Sequence, residues 1–135
     1  MKNILISLVI FIVMSLLNAQ CTDWSVRSLD LPGGSFGMYS ILILILTSII
    51  TGIGLVTVII FRKSYHSILR IAILYEVIYL FMLIVSGNNP FSYFSNPTNE
   101  NMLWILMYGN SLAILLLMYL IDLLYSKINS SKIKN

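Results

Sequence analysis

Three apolar runs of bilayer length constrain this chain more than any other feature. They span roughly Ser40 to Phe61, Ser67 to Ser86 and Met102 to Tyr125. A hydrocarbon core about 30 Å thick takes about 20 helical residues to cross. Backbone amides find no water in lipid, so such runs must close their hydrogen bonds internally, as helices. Composition agrees. Hydrophobic residues make up 59% of the 135 positions and charged residues only 10%, against about 25% charged in soluble domains. So few charges cannot cover a water-facing surface. The expected fold class is all-α, an integral membrane protein.

A fourth run, Ile4 to Leu17 and on to Ala19, is marginal in length. Met1-Lys2-Asn3 before it and Asn18-Ala19-Gln20 after it resemble a secretory signal peptide, and Cys21 hints at a lipoprotein signal. Gln20 is a poor residue before a cleavage point, where small residues are wanted. The favoured expectation is a retained N-terminal apolar helix over residues 1–20. An outer connection over 21–39 and a three-helix unit over 40–126 follow, the helices near 40–61, 67–86 and 102–125. A basic tail over 127–135 completes the division.

Charge placement sets the direction of crossing. Lys2, the Arg62, Lys63 and Arg70 cluster, and Lys127, Lys132 and Lys134 fall on one side of a four-crossing chain. The other side carries Asp23, Arg27, Asp30 and Glu100. The positive-inside rule then puts both termini on the cytoplasmic or matrix side. The sequon at Asn129 would lie inside and go unused. Leu31-Pro32-Gly33-Gly34 and Gly87-Asn88-Asn89-Pro90 are turn signals, and Phe91, Tyr93 and Phe94 suit a membrane interface.

Glu76 stands near the middle of the third run. A charged carboxylate at that depth costs about 2.5–3.5 kcal/mol on insertion scales. Such groups usually serve a proton or ion path; the bland alternative is a carboxyl that only hydrogen-bonds a neighbouring helix. Tyr79, three residues on, is placed to donate to it. Arg70 is about 9 Å away along the axis at 1.5 Å per residue, and is read mainly as a snorkelling topology anchor. Asn110, inside the last run, is either interhelical glue or a polar-path partner of Glu76. Asp122, near the end of that run, reads as a solvated end charge, and Ser48, Gly52 and Gly54 as a small-residue packing face.

Several function classes lack support. No basic stripe with interleaved aromatics points to nucleic acid. One cysteine excludes an internal disulfide framework, and His66 has no ligand partners near it in sequence. No phosphate loop, haem His pair or Ser/His/Asp set is present. No cofactor is expected in this chain.

The stretch IGLVTVIIFRKSYHSILRIAILYEVIYLFMLIVS resembles subunit 4L of NADH:ubiquinone oxidoreductase (complex I). Phe61-Arg62-Lys63 matches that family's basic turn and Leu74-Tyr75-Glu76-Val77 its Glu-centred helix. The resemblance covers about residues 40–125. It implies a three-helix subunit-4L-like unit, here with one extra N-terminal transmembrane helix, and a matrix-side basic turn. It implies the mitochondrial inner membrane, other membrane-arm subunits and lipid as partners, and no direct NADH or iron–sulfur contact. Glu76 would act as a proton relay in a non-redox subunit that performs no catalysis alone, with Asn110 and Tyr79 as accessory groups. Abundant Ile, Asn, Tyr and Lys suit an AT-rich organellar genome. The family usually carries a second membrane Glu in its last helix; here the place falls to Met107, Asn110 or Leu112. Two rival readings stay open. One is a small proton-coupled multidrug exporter, whose Glu normally sits in the first helix. The other is a purely structural membrane subunit of a large complex.

Overall fold

The computed structural model describes residues 2–133, and within them the only regular structure is helix. The elements are α1 (Lys2–Ser28), α2 (Gly33–Phe36), α3 (Tyr39–Ile60), α4 (Ile68–Val85), α5 (Ser92–Ser95) and α6 (Asn99–Ile133). Four spans are long and apolar enough to cross a membrane: Asn3–Ser28, Gly33–Ile60, Ile68–Val85 and Asn99–Ser130. The chain therefore has the architecture of a multi-pass membrane protein.

The middle helices fall where the apolar runs predict, while α1 and α6 exceed theirs. Residues 20–28 contain no Gly or Pro, so nothing stops α1 at residue 20. An Asp23–Arg27 ion pair at 2.9 Å spans one turn of this extension. The helix ends where Asp30 enters the left-handed region at φ 49°. The Asp30 and Leu31 amides then donate to the Arg27 and Val26 carbonyls, a Schellman closure. Gly87, at φ 82°, closes α4 in the same way, with Asn88 N–H donating to the Leu83 carbonyl. Helix α6 starts before Met102 because Thr98 Oγ1 accepts the Asn101 amide as an N-cap. It runs on through the expected basic tail as far as Ile133, and Lys134 lies outside the described residues.

Neighbouring contacts run α1–α3–α4–α6 and back to α1, with α1 also touching α4 across the ring. Two cross-links fix the direction of the helices. Ile68 N–H, at the start of α4, donates to Asp122 Oδ1 near the end of α6. Asn99 Nδ2, at the start of α6, donates to the Leu29 carbonyl just past α1. So α1 and α4 run one way and α3 and α6 run back. One end of the bundle carries the Arg62, Lys63 and Arg70 turn, which we call the basic end.

The outside of the bundle is as apolar as its interior, and the interior carries a polar minority. Leu5, Val9, Ile12 and Leu16 of α1 are exposed, as are Ile45, Ile49, Val56 and Ile59 of α3. The inward face of α1 is instead Ser7, Phe11, Met14, Ser15, Asn18, Thr22 and Ser25, all buried. Lipid is as apolar as a core, so helices in a membrane gain little by burying aliphatics. They associate through close packing and polar contacts. Gly54 provides one such close approach: the Phe11 ring lies over it, where a Cβ would come within 2.7 Å of Phe11 Cε2. Gly52 has nothing within 4 Å of a Cβ position, and Ser48 also faces outward. The small-residue face expected from Ser48, Gly52 and Gly54 therefore splits, and only Gly54 packs within the bundle.

Candidate functional site

Glu76 projects from the middle of α4 into the centre of the ring and is 3% exposed. It is held there because Ile71, Ala72, Tyr75, Glu76, Tyr79 and Leu83 recur at helical spacing and form the inward face of α4. The Ser111 hydroxyl of α6 lies 2.8 Å from Glu76 Oε1 and 2.9 Å from the Tyr108 carbonyl. A serine has one hydrogen to give. Ser111 therefore shares that hydrogen between the Glu76 carboxyl and the Tyr108 carbonyl, and its bond to Glu76 ties α6 to α4.

Two buried polar atoms near the centre have no hydrogen-bond partner among the described residues, Glu76 Oε2 and the Tyr79 hydroxyl. Tyr79 is on the expected face of α4 but does not bond Glu76. Its ring stacks on Tyr75, with centroids 6.0 Å apart and planes 13° from parallel, and that packing fixes where the hydroxyl lies. Tyr75 reaches across to α1. Ser15 gives its hydrogen to the Phe11 carbonyl at 2.7 Å, so the Tyr75 hydroxyl, 3.2 Å away, is the donor to Ser15.

Asn110 is also turned away from Glu76. Its Nδ2 donates to Ser25 Oγ at 3.0 Å and approaches the Cys21 carbonyl at 3.5 Å, tying α6 to α1. Adjacent positions on a helix point about 100° apart, so Asn110 and Ser111 serve different neighbours. Of the sequence-derived site residues, Glu76 is central, while Tyr79 and Asn110 line the same interior without touching it. Sequence reasoning missed Ser111, Tyr75 and the polar face of α1. The signal was present in Ser15, Asn18, Thr22 and Ser25, which repeat at three- and four-residue intervals.

The remaining polar groups sit at the ends. Arg70 is exposed and donates to the Ser64 carbonyl in the basic turn. Asp122 caps the first amide of α4, where the helix dipole favours an anion, rather than ending free in solvent. It borders a cleft of about 700 Å³ with His66, Ser67, Tyr125 and Asn129. At the far end Tyr108 donates to the Asn88 carbonyl at 2.7 Å. Among the described residues no three His, Cys, Asp or Glu side chains gather as metal ligands would. The arrangement can hold and transfer a proton at one buried carboxyl within a partly polar interior. No protein-family model, curated protein or solved structure matches this chain.

Proposed function

We propose that this chain is a divergent subunit 4L of NADH:ubiquinone oxidoreductase in the mitochondrial inner membrane, in which Glu76 is one step of an intramembrane proton path. The observation that carries the reading is Glu76 itself, a carboxyl buried midway along a membrane-length helix, with one oxygen lacking a partner among the described residues. Carboxyls at such depth are costly and serve proton or ion movement by default. The short motifs Phe61-Arg62-Lys63 and Leu74-Tyr75-Glu76-Val77 supply the family. In this reading the chain performs no redox chemistry, and the path continues through carboxyls on partner subunits of the membrane arm. Both termini face the matrix, by the positive-inside rule.

A purely structural role is favoured by one specific contact, the Ser111–Glu76 bond. Glu76→Gln separates the two readings. Glutamine keeps an oxygen and a donor for Ser111 but cannot release a proton. In the assembled enzyme, the relay role predicts normal assembly with fewer protons moved per electron. Unchanged pumping would leave Glu76 as an interhelical bond alone. Native-gel migration tests the family reading: the chain should co-migrate with a near-megadalton assembly, whereas a dimer-sized particle would point to the small exporter class.

A further inference from the structure

The interior around Glu76 is asymmetric along the membrane normal. Towards the basic end, the buried residues are apolar or glycine. They include Ile10, Phe11, Val58, Ile71, Ala72 and Met118, with Ser7 as the single polar exception. Ser7 is already bonded to its own helix through the Asn3 carbonyl. The cleft beside Asp122 is therefore separated from Glu76 by a largely apolar layer. Towards the opposite end Leu83, Leu103 and Met107 are buried too, but Asn18, Thr22 and Ser25 of α1 lie buried beside them, and Asn110 of α6 bonds into the same row. From Ser15 to Ser25 this row covers about 15 Å at helical rise. The unpartnered Tyr79 hydroxyl lies in this same half, about one turn beyond Glu76 on α4.

We propose that the Glu76 carboxyl exchanges with only one side of the membrane, the side opposite the basic turn, along the polar face of α1. The geometry supports the direction in two ways. Each α1 side chain on the row gives its hydrogen back to its own helix: Asn18 to the Met14 carbonyl, Thr22 to Asn18, and Ser25 to Cys21. The Asn18 and Thr22 oxygens, and the lone pair of Ser25 Oγ that Asn110 does not occupy, are left as acceptors that can receive a hydrogen from water or a hydronium ion moving past. On the basic side Phe11 seats against Gly54 and Tyr75, and no comparable file of acceptors is found there among the described residues. The extra helix thereby makes Glu76 a one-sided site. This inference deepens the relay reading and rests on it, since one-sided access matters only if Glu76 takes up and releases protons.

Thiol reactivity tests the access route without measuring pumping. Single cysteines are placed in a Cys21→Ser background at Thr22, Ser25, Ala72 and Ile10, in the assembled complex in sealed vesicles. Silver ion, which is water-sized and reacts with thiols, is added from one side or the other. Blocking is read as loss of later alkylation, from the mass of this chain after denaturation. Ser35→Cys and Ser64→Cys, exposed in opposite turns, assign the sides and report assembly. Thr22→Cys and Ser25→Cys should be blocked from the Ser35 side at least tenfold faster than from the Ser64 side. Ala72→Cys and Ile10→Cys should resist from both. Blocking of Ala72→Cys from the Ser64 side would overturn the proposal. So would Thr22 and Ser25 cysteines no faster than an Ile45→Cys control facing lipid. If the α1 variants do not assemble, native Cys21 gives the same readout in the unsubstituted chain, and its blocking from the Ser64 side would equally overturn the proposal. A normal thiol pattern with unaltered pumping in Glu76→Gln would reject the relay while keeping the one-sided interior.

Discussion

At the residue scale, Glu76 was legible because a carboxylate in an apolar run is conspicuous against its neighbours. Its partner was not. Ser111 is one of many small polar residues in the chain, and only the rotation of α6 decides that it, rather than Asn110, meets the carboxyl. Rotation is set by packing against two other helices, and a single apolar run does not encode it. The two hydroxyls near the centre predict opposite effects on stability. Ser111→Ala removes an interhelical bond and leaves Glu76 without its one partner. Such bonds in membrane bundles average about 0.6 kcal/mol and reach about 1.7 kcal/mol, and orphaning a buried group adds to this. Unfolding of the detergent-solubilised chain should show a loss of about 1–2 kcal/mol. Tyr79→Phe deletes a buried hydroxyl that has no partner. The same assay should find it neutral or stabilising by up to about 1 kcal/mol. A clear loss would mean that this hydroxyl is bonded in the folded protein.

At the element scale, α3 and α4 were read nearly to the residue from the lengths of their apolar runs, and α4 is also bracketed by capping signals. Ser67 Oγ accepts the Arg70 amide at the start of α4 and Gly87 closes its end. The first helix was the weak point. Its apolar run is cut short in sequence by Asn18, Gln20, Thr22 and Asp23, although the helix continues through them. The polar stripe is what buries α1 against α3, α4 and α6, and the missing breaker before Asp30 is what extends it. The α1–α3 contact turns on Gly54. Gly54→Ala sets a methyl 2.7 Å from the Phe11 ring, which is fully buried and cannot swing aside. The helices must part, at a cost of about 1–3 kcal/mol. Gly52→Ala, two positions away and open to the outside, should be neutral or gain up to about 1 kcal/mol from helix propensity. Thermal inactivation of the two variants side by side checks the pair. Equal effects would show that α1 does not lie over Gly54.

At the scale of the whole molecule, the sequence divides into an appended helix and a three-helix unit, while the structure closes four helices into one ring. The difference matters for Glu76. Take α1 away and α3 meets α4, α4 meets α6, but the ring is open on the side where Tyr75, Asn110 and Gly54 find Ser15, Ser25 and Phe11. Three polar or close contacts would then face lipid, where an unbonded polar group finds no water to replace its partner. A chain lacking residues 2–28 is therefore expected to insert but not to hold its fold. Its yield should fall several-fold, and protease should cut within α3 and α6, whose packing against α1 protects them in the intact protein. Supplying α1 as a separate transmembrane peptide should restore protection, since its contacts with α3, α4 and α6 are all side-by-side packing rather than chain connection. Wild-type yield and protection without α1 would instead make residues 40–126 a self-sufficient unit, and the polar face of α1 would then have to serve some neighbour outside this chain.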